Sequence, residues 1–165
     1  MNSFRHRLLG LPLLVLLTAA GCSAADEGPT AAVPSPDAKV VAVCEDLDEA
    51  MPAKVDGLVR KDPQPSSKLT AGWGNPLIIL RCGVAQPPKM VDPEVAEGRD
   101  ADAVAGGVNG VDWLMEKQDD GAYRFTTANR EAYVEVTVPE GRDSSSVLID
   151  LAPAVKKAIP EGIAL

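Results

Sequence analysis

The chain has 165 residues, 45% of them apolar, and its 24 acidic residues outnumber 16 basic ones to give a formal net charge of −8. Such a surface repels phosphate backbones and anionic headgroups, which excludes nucleic acid and acidic lipid as partners. The sole histidine, His6, stands in a segment expected to be removed, so Ser-His-Asp and Cys-His nucleophiles and the usual zinc and copper sites are excluded too.

Arg5 and Arg7 precede an apolar run from Leu8 to Ala20, followed by Gly21 and Cys22. Basic, apolar and small residues in that order make an export signal. The run is about 13 residues long and holds Pro12, whereas a transmembrane helix needs roughly 20 apolar residues. Residues 1–21 are therefore expected to be cleaved. Ala19-Ala20-Gly21-Cys22 looks like a bacterial lipobox, although leucine is commoner where Ala19 stands. On that reading Cys22 carries a diacylglyceryl thioether, and acyl chains at about 0.8 kcal/mol per buried methylene hold the mature protein at the membrane. The alternative is an ordinary secretory signal cut nearby, with Cys22 a chance cysteine. Losing Arg5 and Arg7 shifts the net charge from −8 to about −10.

Residues 22–37 are Ala, Pro, Ser, Thr, Gly and acid with almost no large apolar side chain. They read as a lipidated cysteine and flexible tether, of roughly 20 Å root-mean-square reach. Residues 38–165 then form one extracytoplasmic domain of ordinary size. Setting Cys22 aside leaves Cys44 and Cys82, a pair in a compartment that permits disulfides. Two buried free thiols are the alternative.

Within the domain, Asp37 is placed to cap a helix over Ala38 to Met51, where Val40, Val43, Cys44, Leu47 and Met51 recur at helical spacing before Pro52. Val55 to Thr70 reads as a loop with one helical turn around Val55 to Val59. Leu77 to Leu80, introduced by Gly74-Asn75-Pro76 and followed by Arg81-Cys82-Gly83, suits a strand covered on both faces. A Cys44–Cys82 disulfide would then pin helix to sheet. Residues 85 to 107 carry Pro87, Pro88, Pro93 and the Gly106-Gly107 pair and read as a long surface loop.

Val111, Trp113 and Met115 alternate with Asp112, Leu114 and Glu116, and Asp119-Asp120-Gly121 turns the chain into Tyr123 to Thr127, a hairpin. Ala132, Val134, Val136 and Val138 make a further strand ending at Pro139. Leu151 to Ile159 is expected as a helix capped by Asp150; a start near Ser146 with a bend at Pro153 is the other possibility. The order predicts an α+β fold: a mostly antiparallel sheet of about four strands flanked by N- and C-terminal helices, with one helix-to-sheet disulfide.

Three residues invite a ligand. Trp73 beside Gly74-Asn75-Pro76 could line a cleft, or simply pack over the sheet end. Arg81 and Arg130, which with Arg124 are among the few cations of an acidic chain, could supply a pair converging on a carboxylate or phosphate, or neutralise neighbouring acids. The acidic clusters at Asp46–Glu49, Asp100–Asp102 and Asp119–Asp120 lack the spacing of a calcium loop. No metal, cofactor or catalytic residue is expected.

Cys44 with Leu47, Met51-Pro52, Trp73-Gly74, Leu80-Arg81-Cys82-Gly83, Val111-Asp112-Trp113 and Asn129-Arg130-Glu131-Ala132-Tyr133-Val134 together resemble an actinobacterial family, domain of unknown function thirty-five fifteen. The resemblance covers most of the chain after the tether and implies a membrane-tethered or secreted envelope protein. It implies no activity. The leading expectation is a noncatalytic binding or accessory module on the outer face of the cytoplasmic membrane, with an envelope protein or small ligand as partner. The rivals are a small-ligand receptor, whose 85–107 loop closes over a pocket floored by Trp73 and Arg81, and a carboxylate-dependent wall hydrolase.

Overall fold

A computed structural model describes residues 29–164. The expected signal segment 1–21 and lipidated Cys22 lie outside the described residues. The first helix, α1 (Ala38–Ala50), starts where Asp37 accepts hydrogen bonds from the Lys39 and Val40 amides, and it ends before Pro52. Its buried stripe is Val40, Cys44 and Leu47. A small hairpin of β1 (Lys54–Val55) and β2 (Leu58–Val59) follows. It replaces the expected helical turn, because Asp56-Gly57 adopts positive φ at both positions and so makes a tight hairpin turn.

The main sheet has six antiparallel strands in the order β3-β4-β8-β7-β6-β5. They are β3 (Thr70–Gly74), β4 (Leu77–Cys82), β5 (Ala103–Val108), β6 (Val111–Lys117), β7 (Tyr123–Ala128) and β8 (Val134–Val138). The fold is thus α+β with an antiparallel sheet, as the pattern predicts. The strand count is corrected from about four to six, plus the small hairpin. The two strands missed in the main sheet are its edges. Trp73-Gly74 belongs to β3 and does not form a turn, and Gly106-Gly107 lies in β5, inside the expected loop. The rest of that segment holds a 3-10 turn (Pro88–Val91) and a short helix, α2 (Pro93–Ala96).

Side chains alternate across the sheet. Ile78, Leu80 and Cys82, Val134, Val136 and Val138, Phe125, and Val111 and Trp113 point to one face. There they share a core with α1 and with α3 (Ser144–Ala158), and the two helices pack against each other. The Cys44–Cys82 disulfide joins α1 to β4 with a Cα–Cα distance of 5.6 Å. The helix α3 begins seven residues before the expected Leu151, capped by Asp143 rather than Asp150. Pro153 is accommodated inside it. The Ile149 carbonyl, which would bond its absent N–H, belongs to an exposed residue.

The opposite face carries polar and charged side chains at its centre. At the β5–β6 end it is capped by Val95 of α2 packing on Ala103 and Leu114. The β3 edge is covered. Arg60 bridges to Trp73, and the Lys61 N–H donates to the Gly72 carbonyl at 2.8 Å. Gly72 is required at this crossing, because a Cβ there would sit 2.7 Å from the Lys61 carbonyl oxygen. Residues 29–31 of the expected tether join the same side through Ala31 N–H to Gln64 O and Gln64 N–H to Pro29 O, both 3.0 Å.

Candidate functional site

Trp73, Arg81 and Arg130 do not converge. The Trp73 indole is fully buried in the main core, and its Nε1 donates to the Pro52 carbonyl at 3.0 Å. It holds the end of α1 against the sheet. Arg81 lies on the far face of β4, where its guanidinium bonds Glu135, its cross-strand partner on β8, at 2.8 Å. A second cross-strand pair, Arg124 with Glu116 at 3.0 Å, lies farther along the same face. These pairs neutralise acids that burial would otherwise penalise.

Arg130 has another task. It is 5% exposed, and its two terminal nitrogens donate at 3.0 Å to the carbonyls of Ile159 and Gly110. One planar fork thereby ties the β7–β8 connection to the end of α3 and to the β5–β6 turn. The C-terminal segment is drawn alongside by Glu131 N–H to Pro160 O and Gly162 N–H to Asn129 O.

These bonds build one wall of a cleft of about 590 Å³ on the face away from the long helices. Ala105, Gly107, Asp112, Leu114 and Ala128 from three adjacent strands make its floor. Lys89, Met90 and Val95 stand on one side; Asn129, Arg130, Tyr133 and Gly162 stand on the other. Gln86 closes one end by donating from Nε2 to the Tyr133 hydroxyl at 2.8 Å. Asn129 donates to Asp112 Oδ2 at 3.0 Å. The 85–107 segment therefore does wall a cleft, but neither Trp73 nor Arg81 belongs to it.

Lys89 is fixed by Asp100, with Asp92 3.5 Å away. The hydrogen bond to Asp100 raises the Lys89 ammonium above its ordinary value, and the Lys89 bond, helped by the Asp102 and Ala103 amides, lowers the Asp100 carboxyl below its own. Both remain ionised at neutral pH, so neither is poised for proton transfer there. Among the described residues no group of three or more His, Cys, Asp or Glu is arranged to hold a metal.

A second groove, about 420 Å³, opens on the helix-covered side of β5. Met115, Tyr123, Phe125 and Leu148 line it, and Arg142 and Asp143 stand at the start of α3. Sequence reasoning missed both recesses because it missed β5. The signal was present: Asn109-Gly110 between two valines is the strongest short hairpin pattern, and both residues adopt positive φ.

A family model described as a protein of unknown function, DUF3515, matches residues 9–164. The chain belongs to the DUF3515 family. No curated protein and no solved structure matches this DUF3515 chain. The Leu80-Arg81-Cys82-Gly83 and Arg130-x-x-Tyr133-Val134 elements that carried the resemblance now have structural meanings: a disulfide anchor beside a neutralised arginine, and the arginine clamp that shapes the cleft.

Proposed function

We propose that this DUF3515 protein is a noncatalytic binding or accessory module of the cell envelope, tethered through acylated Cys22 on the outer face of the cytoplasmic membrane. The observation that carries the binding role is the cleft of about 590 Å³, whose walls are already cross-braced. Arg130 holds backbone carbonyls, Lys89 holds Asp100, and Asn129 holds Asp112. A mostly apolar floor, with Asp112 held by Asn129 and a fixed polar rim, favours preorganised recognition over chemistry. The export signal and lipobox pattern of residues 5–22 support the location. The small-ligand receptor reading loses the pocket floor it assumed, since Trp73 and Arg81 lie outside the cleft.

The test is photo-crosslinking in intact cells from a benzophenone residue at Met90, inside the cleft, and at Ile149, exposed on α3. An adduct of discrete mass from Met90 and none from Ile149 supports the module. Absence of an adduct from both removes it. Fractionation of a Cys22→Ala variant, expected to leave the membrane pellet, tests the anchor.

A further inference from the structure

We propose that the free edge of β5 is a docking site for an extended, basic segment of a partner protein, which adds to the sheet as a seventh strand and sends alternate side chains into the grooves on its two faces. This deepens the envelope-module reading and rests on it.

The two edges of the sheet differ. The β3 edge is covered by residues 60–61, with 29–31 beside them. Among the described residues nothing pairs with the outer side of β5. The direction of its backbone groups follows from the register. Val108 and Val111 close a two-residue turn and so form a hydrogen-bonded pair; bonded pairs recur at every second residue, at Gly106 with Trp113 and Val104 with Met115. The bond from Lys117 N–H to Asp102 O at 2.7 Å continues that phase. Ala105 and Gly107 therefore turn both N–H and C=O away from β6. The Ala103 N–H points the same way and is taken by Asp100 Oδ1 at 2.9 Å, which ends the open stretch.

Soluble proteins protect such edges with lysine, proline or bulges. The β5 sequence Ala-Val-Ala-Gly-Gly-Val has none of these, and its register with β6 is unbroken. Added strands gain affinity from main-chain bonds and specificity from alternate side-chain pockets. Both pockets are present. Gly106 faces the groove of about 420 Å³ and Gly107 the cleft of about 590 Å³, so the missing side chains leave both open to the edge. A Cβ built on Gly106 meets nothing within 4 Å, and neither glycine has a positive φ that would explain its presence.

The occupant follows from what fills these spaces. A second copy of β5 would offer only alanine, glycine and valine side chains, too small for either groove. The described part of the chain's own tether is held at the other edge. Met115, Tyr123, Phe125 and Leu148 call for large apolar side chains on one face. On the other, the exposed Asp112 carboxylate is opposite Gly107 and is bonded only to the neutral Asn129 amide; among the described residues no cation pairs with it. A lysine or arginine of the incoming strand fits there, and the formal charge of −8 steers a basic segment toward it.

The experiment selects a random phage-displayed library of peptides about nine residues long on the full chain in detergent micelles. The expected winners alternate apolar residues with Lys or Arg. Ala105→Pro removes an outward donor that β6 does not use, and Gly106→Phe fills the apolar groove; each is expected to weaken a selected peptide by about tenfold or more. Asp112→Asn is expected to abolish the Lys/Arg preference. Melting curves identify any variant that fails to fold, and Gly106→Phe carries the test if Ala105→Pro does. The proposal is overturned by a selection without consensus, by binding indifferent to both β5 substitutions, or by a dimer of the full chain that Ala105→Pro dissociates. Cellular adducts from Met90 that persist in the Ala105→Pro variant overturn the docking site alone and leave the envelope module standing.

Discussion

Cutting the Cys44–Cys82 disulfide is expected to remove a large part of the domain's stability. The bond closes a loop of 38 residues between α1 and β4, and both cysteines are buried at 0% and 1% exposure. In the chain-entropy treatment a loop of this length contributes about 4 kcal/mol at 25 °C, against a net stability of about 5–15 kcal/mol for ordinary domains. With a urea dependence of about 1–3 kcal/mol per molar, the unfolding midpoint should fall by roughly 1.3–4 M on reduction. The assay is urea unfolding followed by tryptophan fluorescence, comparing oxidised protein, reduced protein and the Cys44→Ala/Cys82→Ala double variant. Reduction deletes no side-chain carbon or sulfur, so agreement of the last two to about 1 kcal/mol assigns the effect to the cross-link and not to a cavity. A reduced protein within about 1 kcal/mol of the oxidised one would refute the reasoning.

Three further outcomes follow from the packing and the charges. Arg130→Met should destabilise the domain by about 2–3 kcal/mol, because it leaves the Gly110 and Ile159 carbonyls unpaired; chemical denaturation checks it. Gly72→Ala should destabilise by about 1–3 kcal/mol, since its Cβ meets a backbone oxygen that only the covered sheet edge can move, whereas Gly106→Ala, which meets nothing, should leave the melting temperature nearly unchanged. The lowered carboxyls of Asp100 and Asp143 set an acid limit. Asp100 is held down by Lys89, and Asp143 by Ser146 and the Ser145 amide. Their contribution is complete above the ordinary value of 3.8 and is lost as pH falls from there through the folded values. Stability measured from pH 7 to 3 should therefore stay flat with respect to these two groups until about pH 4, then fall less steeply in an Asp100→Asn/Asp143→Asn variant.

How much of this could be read from the chain depends on which physical signal each element carries. The helix α1 was legible because a cap, an apolar stripe and a proline stop all agree. β6, β7 and β8 were legible because they alternate. The edge strands were not. β3 is Thr-Ala-Gly-Trp-Gly and β5 is Ala-Val-Ala-Gly-Gly-Val, compositions with low strand preference, held in place by neighbours distant in sequence. The start of α3 at Ser144 lies close to the Ser146 alternative and not to Leu151, and Pro153 is tolerated in its interior because the carbonyl it leaves unbonded belongs to the exposed residue Ile149.

The candidate site was less legible than the fold. Its wall depends on Arg130 reaching Ile159 and Gly110, 29 and 20 residues away in sequence. Arg81 and Arg130 are among the few cations of an acidic chain, yet each is bound to partners of its own. Trp73 stands beside the Gly74-Asn75-Pro76 turn in the sequence, but the neighbouring chain at Arg60 and Lys61 encloses it.

The most direct test of an open, peptide-receiving edge is amide hydrogen exchange along β5, with and without a selected peptide. Strand addition predicts that the Ala105 and Gly107 amides, which point away from β6, gain protection of about tenfold or more, while Val104, Gly106 and Val108, already bonded to β6, change little. Protection that is uniform along β5, that favours Val104, Gly106 and Val108, or that does not appear at all would contradict it.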